Sequence, residues 1–364
     1  MLGSMSMGLG MFGAVSFGTP APTSAPALPS GQAASSAPPA RDAGLRVLAA
    51  IANPQHASYV SDIADLFSAR FSPKSPLADD AFQKRLAAQR ERTSTCNDET
   101  ASTLILKMLD VLEHTLRTNL DFPNRYGLAL RVGPCGMVAP EQFFVHGDCF
   151  HGFHNRFQNI ARGGLRLVTP PSHEQCLAES SRIYDEGYGL SFAQNLKTKD
   201  IPEGGSKAVC LVDVSRGSDK NHAARASLKS FTYSILDVIV TTGGKEFMMD
   251  RLGVDEPISL GPDEQVITED IDWIIKQAGR RGYSIPPAFM SSKPKAGINH
   301  KTYGVTSEGV AVFLDVALRH RGIDPEKQPF TIKITDGHTD RYSFDCVCLT
   351  VLPEKWEIGG QQTS

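Results

Sequence analysis

A chain of 364 residues with 41% hydrophobic content carries enough apolar side chain for a packed core and about two domains. Its 37 basic residues nearly cancel its 40 acidic ones, and no Lys/Arg block concentrates positive charge, which argues against nucleic-acid and anionic-membrane partners. Seven cysteines without a CxxC pair suggest neither a disulfide framework nor a zinc ribbon, and fit a reducing compartment.

From Met1 to Ala40 there is no charged residue, and Gly, Pro, Ala, Ser and Met dominate. Such a composition does not bury enough apolar surface to offset the entropy of ordering, so residues 1–44 read as a disordered, low-complexity leader. Its lack of acidic residues and its serines are like those of an organelle transit peptide, although the first arginine comes only at Arg41. No apolar run approaches the roughly 18 residues of a membrane-spanning helix.

Residues 45–120 read as a helical region. Leu45, Val47, Leu48 and Ile51 recur at helical spacing, as do Val60, Ile63, Ala64 and Phe67, then Leu104, Ile105, Met108, Leu109, Leu112 and Leu116. From Tyr126 the pattern shortens to strand-like segments at 126–132, 142–146 and 150–157, separated by Gly-Pro and Gly-Asp turns. Helices and strands then alternate: a helix after Pro171, a strand at 207–214, a helix at about 219–240, a strand at 257–261 and a helix from Thr268 with Glu269 and Asp270 in its first turn. A strand at 287–290, a helix at 306–320 and a β-rich run at 330–335 complete the series, and no internal repeat is visible. The expected fold class is α/β: a mixed sheet flanked by helices, preceded by a helical region.

Three sets of residues invite a chemical reading. His146, Cys149, His151 and His154 have metal-ligand types at close spacing, but side chains on a strand alternate between faces, so all four do not converge. Sheet polarity and a tight turn explain them better. Gly204-Gly205-Ser206-Lys207 exposes backbone donors before a lysine, yet it lacks the GxxxxGK[ST] spacing of a phosphate loop, and taken alone it reads as a strand-entry turn. The segment that carries this turn, which begins at Lys197, goes together with Leu260-Gly-Pro-Asp263-Glu264, and the remaining set is Ala161-Arg162-Gly-Gly-Leu-Arg166.

Taken in order, Ala161-Arg-Gly-Gly-Leu-Arg166, Asn195-Leu-Lys-Thr-Lys-Asp-Ile-Pro-Glu-Gly-Gly-Ser-Lys207, Leu260-Gly-Pro-Asp263-Glu264, Phe289-Met-Ser-Ser-Lys-Pro294, Ala296-Gly-Ile-Asn-His-Lys301 and Tyr303-Gly-Val-Thr-Ser-Glu-Gly309 resemble the large NAD-specific glutamate dehydrogenases. The resemblance runs from about Tyr126 to Thr335 and includes that family's active-site signature at 201–207. It implies oxidative deamination of L-glutamate to 2-oxoglutarate with NAD, in a homo-oligomer that uses no metal and is mitochondrial or otherwise cytoplasmic; the alternative is a catalytically silent substrate-domain fragment that binds or oligomerises. Lys207 would be the catalytic lysine and Asp263 the carboxylate that shuttles protons. Lys197, Arg162 and Arg166 would hold substrate carboxylates or support their loop, with Gly163, Gly164, Gly204 and Gly205 giving backbone access to the substrate. Arg162 stands where smaller relatives carry a lysine, which keeps the charge but alters its geometry. Thr306 would lie near the nicotinamide.

The implied chemistry explains the crowding around the signature. A lysine that serves as base has to be neutral, whereas a free ammonium titrates near about 10.4; desolvation and neighbouring cations disfavour the charged form. The family's dinucleotide domain would open at 306–335, after a substrate domain at 121–305. Asp336-Gly-His-Thr-Asp-Arg341 then shows one glycine where a GxGxxG turn would stand, so 336–364 read as a divergent tail and the dinucleotide domain as truncated.

Overall fold

The structure is a computed structural model that describes residues 53–134, 141–197, 201–214, 219–240, 244–292, 305–338 and 343–352. The leader and the first apolar stretch, Leu45 to Ile51, lie outside them, as does the whole segment 293–304. The chain divides into two units, Met1–Ala296 and Gly297–Ser364.

The first unit opens with three helices, α1 (Ala57–Phe71), α2 (Asp79–Ser94) and α3 (Glu99–His114). Asp98 caps α3, its carboxylate accepting from Ala101 N at 3.0 Å. The apolar stripe of α3, Leu104, Ile105, Met108, Leu109 and Leu112, packs on Ile63, Leu66, Phe67 and Phe71 of α1 and on Phe82 and Leu86 of α2. The helical spacing in the sequence extends to Leu116, but α3 stops at His114 and Thr115–Thr118 forms strand β1. Branched threonines favour the extended backbone there, and Thr115 Oγ1 donates to Val111 O at 2.6 Å to close the last helical turn.

A seven-stranded mixed sheet follows. Its strands are β1, β2 (Leu128–Val132), β3 (Glu141–Gly147), β4 (Phe150–Arg156), β5 (Ala161–Val168), β6 (Gly204–Val212) and β7 (Ser259–Pro262), in the order β1-β2-β3-β4-β6-β5-β7. The pairings are antiparallel from β1 through β4 to β6, then parallel between β6 and β5 and between β5 and β7. A parallel pair needs a crossover, which α4 (His173–Asn195) supplies between β5 and β6; Ser172 caps it, accepting from Gln175 N at 3.2 Å.

One face of the sheet packs on α5 (Lys220–Ile239) and α6 (Thr268–Arg280): Ala129, Phe143, Val145, Leu165 and Cys210 meet Leu228, Phe231, Ile235, Ile271 and Ile274. The other face buries Phe144, Phe153 and Val209 against Ile183 and Tyr184 of α4 and Val111 of α3. All nine residues of β6 are buried, as a central strand covered on both faces requires. The strand expected at 287–290 is instead a 3-10 turn, Pro286–Ala288, because two prolines lack the N–H that a ladder needs. Only Met290 reaches the sheet there, in a parallel bridge with Leu260.

The second unit contains α7 (Val305–His320), β8 (Phe330–His338) and β9 (Ser343–Val351). The sequence leads one to expect β8 as the first strand of a parallel sheet; the structure pairs it antiparallel with β9, from Phe330 opposite Val351 to His338 opposite Ser343.

Candidate active site

Alternation along β6 determines where its lysine points. Val209 lies on the α4 face, and residues two apart on a strand share a face, so Lys207 and Gly205 are directed the same way. Lys207 is buried to 8% exposure, in the middle of the sheet with β4 on one flank and β5 on the other.

Beyond β5 lies β7, and Asp263 follows it directly. Its backbone N donates to Leu165 O at 3.2 Å, continuing the β5–β7 pairing by one residue. Lys207 Nζ donates to Asp263 Oδ2 in a salt bridge, so two side chains 56 residues apart in sequence share one site. Burial pushes the Asp263 carboxyl up, but the hydrogen bond and charge of Lys207, the charge of Arg166 and the bond from Glu264 N outweigh it and hold the group below the ordinary carboxylate value.

Arg166 belongs to this cluster. It donates to Glu186 of α4 at 2.6 Å and lies 3.9 Å from Asp263 and 3.6 Å from Glu264. Arg162 does not join it: its side chain is half exposed and forms an ion pair with Glu203 at 3.0 Å. Lys197 is exposed just past the C-terminal end of α4. Thr306 falls in the first turn of α7, and its side chain lies outside the described residues.

The glycines serve close packing. A Cβ on Gly163 would stand 1.6 Å from Ser206 O, and one on Gly205 would stand 2.1 Å from Ser191 O and 2.3 Å from Asn195 N. Gly205 therefore lets β6 approach the last turn of α4, while Gly164 leaves room for Asp263, whose Cβ would be 2.9 Å away. Gly204 approaches the Gln158 side chain in the same way. The resemblance gave these four glycines backbone access to the substrate; their nearest neighbours in the structure are Ser206, Asp263, Gln158 and the last turn of α4.

The histidines separate between the faces. His146 and His151 stack across the β3–β4 hairpin with Nδ1 atoms 3.0 Å apart. His154 is buried beside Phe143, and burial together with the charges of Arg156 and Arg131 pushes its ring down to about 3, so it is neutral at ordinary pH. Among the described residues no three His, Cys, Asp or Glu side chains are grouped to hold a metal.

A buried ionic network was not anticipated from the sequence. Arg117, Arg131 and Arg156, on β1, β2 and β4, are among the most buried large side chains. Arg117 binds Asp250 through two nitrogens at 2.7 and 2.8 Å, while Arg131 and Arg156 each reach Glu256 at 2.6 Å and Glu141 at 3.0 and 2.7 Å. Tyr283 adds a second tether: its hydroxyl accepts from Ile258 N at 2.7 Å and donates to Ile258 O at 3.0 Å. Together these hold the loop that leads into β7, and so set where Asp263 emerges. Arginines inside otherwise apolar strands were the available signal.

No family model matches the chain. It is 35% identical over 224 residues to an NAD-specific glutamate dehydrogenase of Neurospora crassa, covering 58% of this chain and 21% of that protein. To the NAD-specific glutamate dehydrogenase of Saccharomyces cerevisiae it is 32% identical over 223 residues, covering 58% and 20%. The chain thus spans about one fifth of the length of these curated relatives. A solved hetero-hexameric glutamate dehydrogenase from Thermus thermophilus aligns with 48% of this chain and 37% of its own at 22% identity, with a TM-score of 0.33, a score that carries no argument about fold.

Proposed function

We propose that this chain, similar over more than half its length to NAD-specific glutamate dehydrogenases, carries the substrate-handling part of that activity: oxidative deamination of L-glutamate to 2-oxoglutarate and ammonia. The observation that carries the reading is the meeting, across β5, of Lys207 on β6 with Asp263 at the end of β7, two residues that stand in separate motifs resembling the family's. A lysine and a carboxylate sharing a proton are suited to an amine that must first lose protons and later leave as ammonia.

In this reading neutral Lys207 takes a proton from the substrate ammonium, leaving the free amine that oxidation of Cα requires, and passes that proton to Asp263. Neutral again, and with the substrate at the imine level, Lys207 draws a proton from the water that attacks the imine carbon, giving a carbinolamine. Asp263 delivers a proton to the departing nitrogen, the C–N bond breaks, and the hydroxyl proton is lost as the carbonyl of 2-oxoglutarate forms. Lys197 and Arg166 supply cations for the two substrate carboxylates, and Arg162 joins them only by leaving its ion pair with Glu203. Oxidation of Cα itself needs NAD, as the relatives' names imply, and the described residues do not fit that cofactor. The strand that would lead into a phosphate-binding turn and helix returns as an antiparallel hairpin.

Assembly as a homo-oligomer and a mitochondrial location belong to the same proposal, the latter supported by the uncharged, serine-containing leader. The alternative is a silent fragment that only binds or oligomerises. Calorimetric titration with 2-oxoglutarate separates the two: binding is expected, and Lys197→Ala weakens it about tenfold, the effect of losing one hydrogen bond to a charged group. An absence of 2-oxoglutarate binding at millimolar ligand would defeat the substrate reading.

A further inference from the structure

Asn155 is fully buried on β4, and neither its amide nitrogen nor its carbonyl oxygen has a hydrogen-bond partner. It stands opposite Lys207 in the β4–β6 register. Directly opposed side chains on an antiparallel pair lie about 5 Å apart at Cβ, so the carboxamide borders the lysine stem. Its other cross-strand neighbour, Gln142, is committed to Tyr184 Oη. Phe144, Phe153 and Val209 lie on the same face, where a valine at 155 would leave no polar atom unsatisfied.

Lys207 is therefore bracketed. Asp263 lies on the β5–β7 flank and Asn155 on the β4 flank, because β6 runs between β4 and β5. We propose that Asn155 is a positioning residue for Lys207: its Oδ1 accepts a hydrogen bond from Nζ when Asp263 lets the lysine go. This rests on Lys207 acting as the base. During turnover Asp263 has to leave the lysine to protonate the departing ammonia, and the amine then needs another acceptor to stay aimed. A neutral carboxamide suits that place, since a second carboxylate would favour the ammonium over the free amine that the reaction requires.

The test is the rate at which trace acetic anhydride acylates Lys207 in the full chain, read by mass spectrometry of the peptide that carries it. Asn155→Val and Asp263→Asn are compared singly and together. With Asp263 holding the lysine, Asn155→Val alone is expected to change the rate less than about twofold, while the double variant exceeds the product of the single effects by about tenfold, the mark of two partners that substitute for each other. A double variant equal to that product would overturn the proposal, because a merely structural amide gives no such coupling. Asn155→Asp supplies an independent arm: a carboxylate on that flank slows acylation about tenfold, and an unchanged rate would count equally against the proposal. Thermal unfolding of each variant shows that the site is folded when labelled. Acylation requires no turnover, so a wild-type chain that fails to bind 2-oxoglutarate defeats the functional reading and leaves the labelling result to stand separately.

Discussion

At the scale of single residues, the site turns on charge and on space. Asp263 titrates below its ordinary value in the folded chain, so its ionisation contributes stability that is present above the unfolded value of about 3.9 and is lost as pH falls through the lower folded value. Acid unfolding should therefore begin at higher pH in the wild type, relative to its neutral-pH stability, than in Asp263→Asn, which has no such group to protonate. Superimposable acid profiles, followed by circular dichroism, would show that the Lys207 pair contributes nothing to folding. Space acts through Gly163, where an added Cβ would fall 1.6 Å from a backbone oxygen of the neighbouring strand. No side-chain motion relieves that clash, so Gly163→Ala is expected to cost about 3 kcal/mol, read as a lower urea midpoint, through forced separation of β5 and β6. The glycine signature was legible in the sequence as a requirement for close approach. Whether substrate, helix or strand does the approaching was not, because that depends on elements far from the signature.

Among the elements, β7 is the one whose placement determines the chemistry. It is only four residues long, at the edge of the sheet, and its lead-in is anchored by Glu256 among buried arginines and by the Tyr283 hydroxyl. Replacing both partners of a buried ion pair by apolar groups is often tolerated, whereas removing one leaves an uncompensated buried charge. Glu256→Gln should thus destabilise the first unit by about 3–5 kcal/mol in denaturant unfolding. A loss within experimental error would mean that water or Glu141 compensates the arginines. The boundary between α3 and β1 shows the opposite kind of difficulty: the apolar spacing continues to Leu116, and only the pairing of Thr115 and Thr118 with β2 decides in favour of a strand. Strand preference depends on neighbours more than helix preference does, so a one-dimensional pattern undercalls it.

For the whole molecule, the first unit holds the seven-stranded sheet and the Lys207–Asp263 pair, and the described residues of the second include an antiparallel strand pair, β8 with β9. A dinucleotide site requires parallel strands and a phosphate-binding turn at a helix N-terminus, and the hairpin offers neither. The purified 364-residue chain is expected to bind 2-oxoglutarate but to form no NADH from glutamate and NAD, and to show no calorimetric NAD binding at millimolar ligand. NADH formation by this polypeptide alone would require a dinucleotide site elsewhere in it.

The sequence by itself determined the α/β alternation and the helical opening, and through a family resemblance singled out Lys207 and Asp263, since apolar periodicity and ordered motifs are properties of neighbouring residues. The meeting of Lys207 with Asp263, the placement of Asn155 on the lysine's other flank, the separation of Arg162 from the cluster and the burial of three arginines around Glu256 were decided by tertiary structure. Each of these depends on strand order and register. In this sheet β6 lies between β4 and β5 although α4 separates it from β5 in the chain, and burial, which sets the cost of every unpaired charge, exists only after those strands have paired.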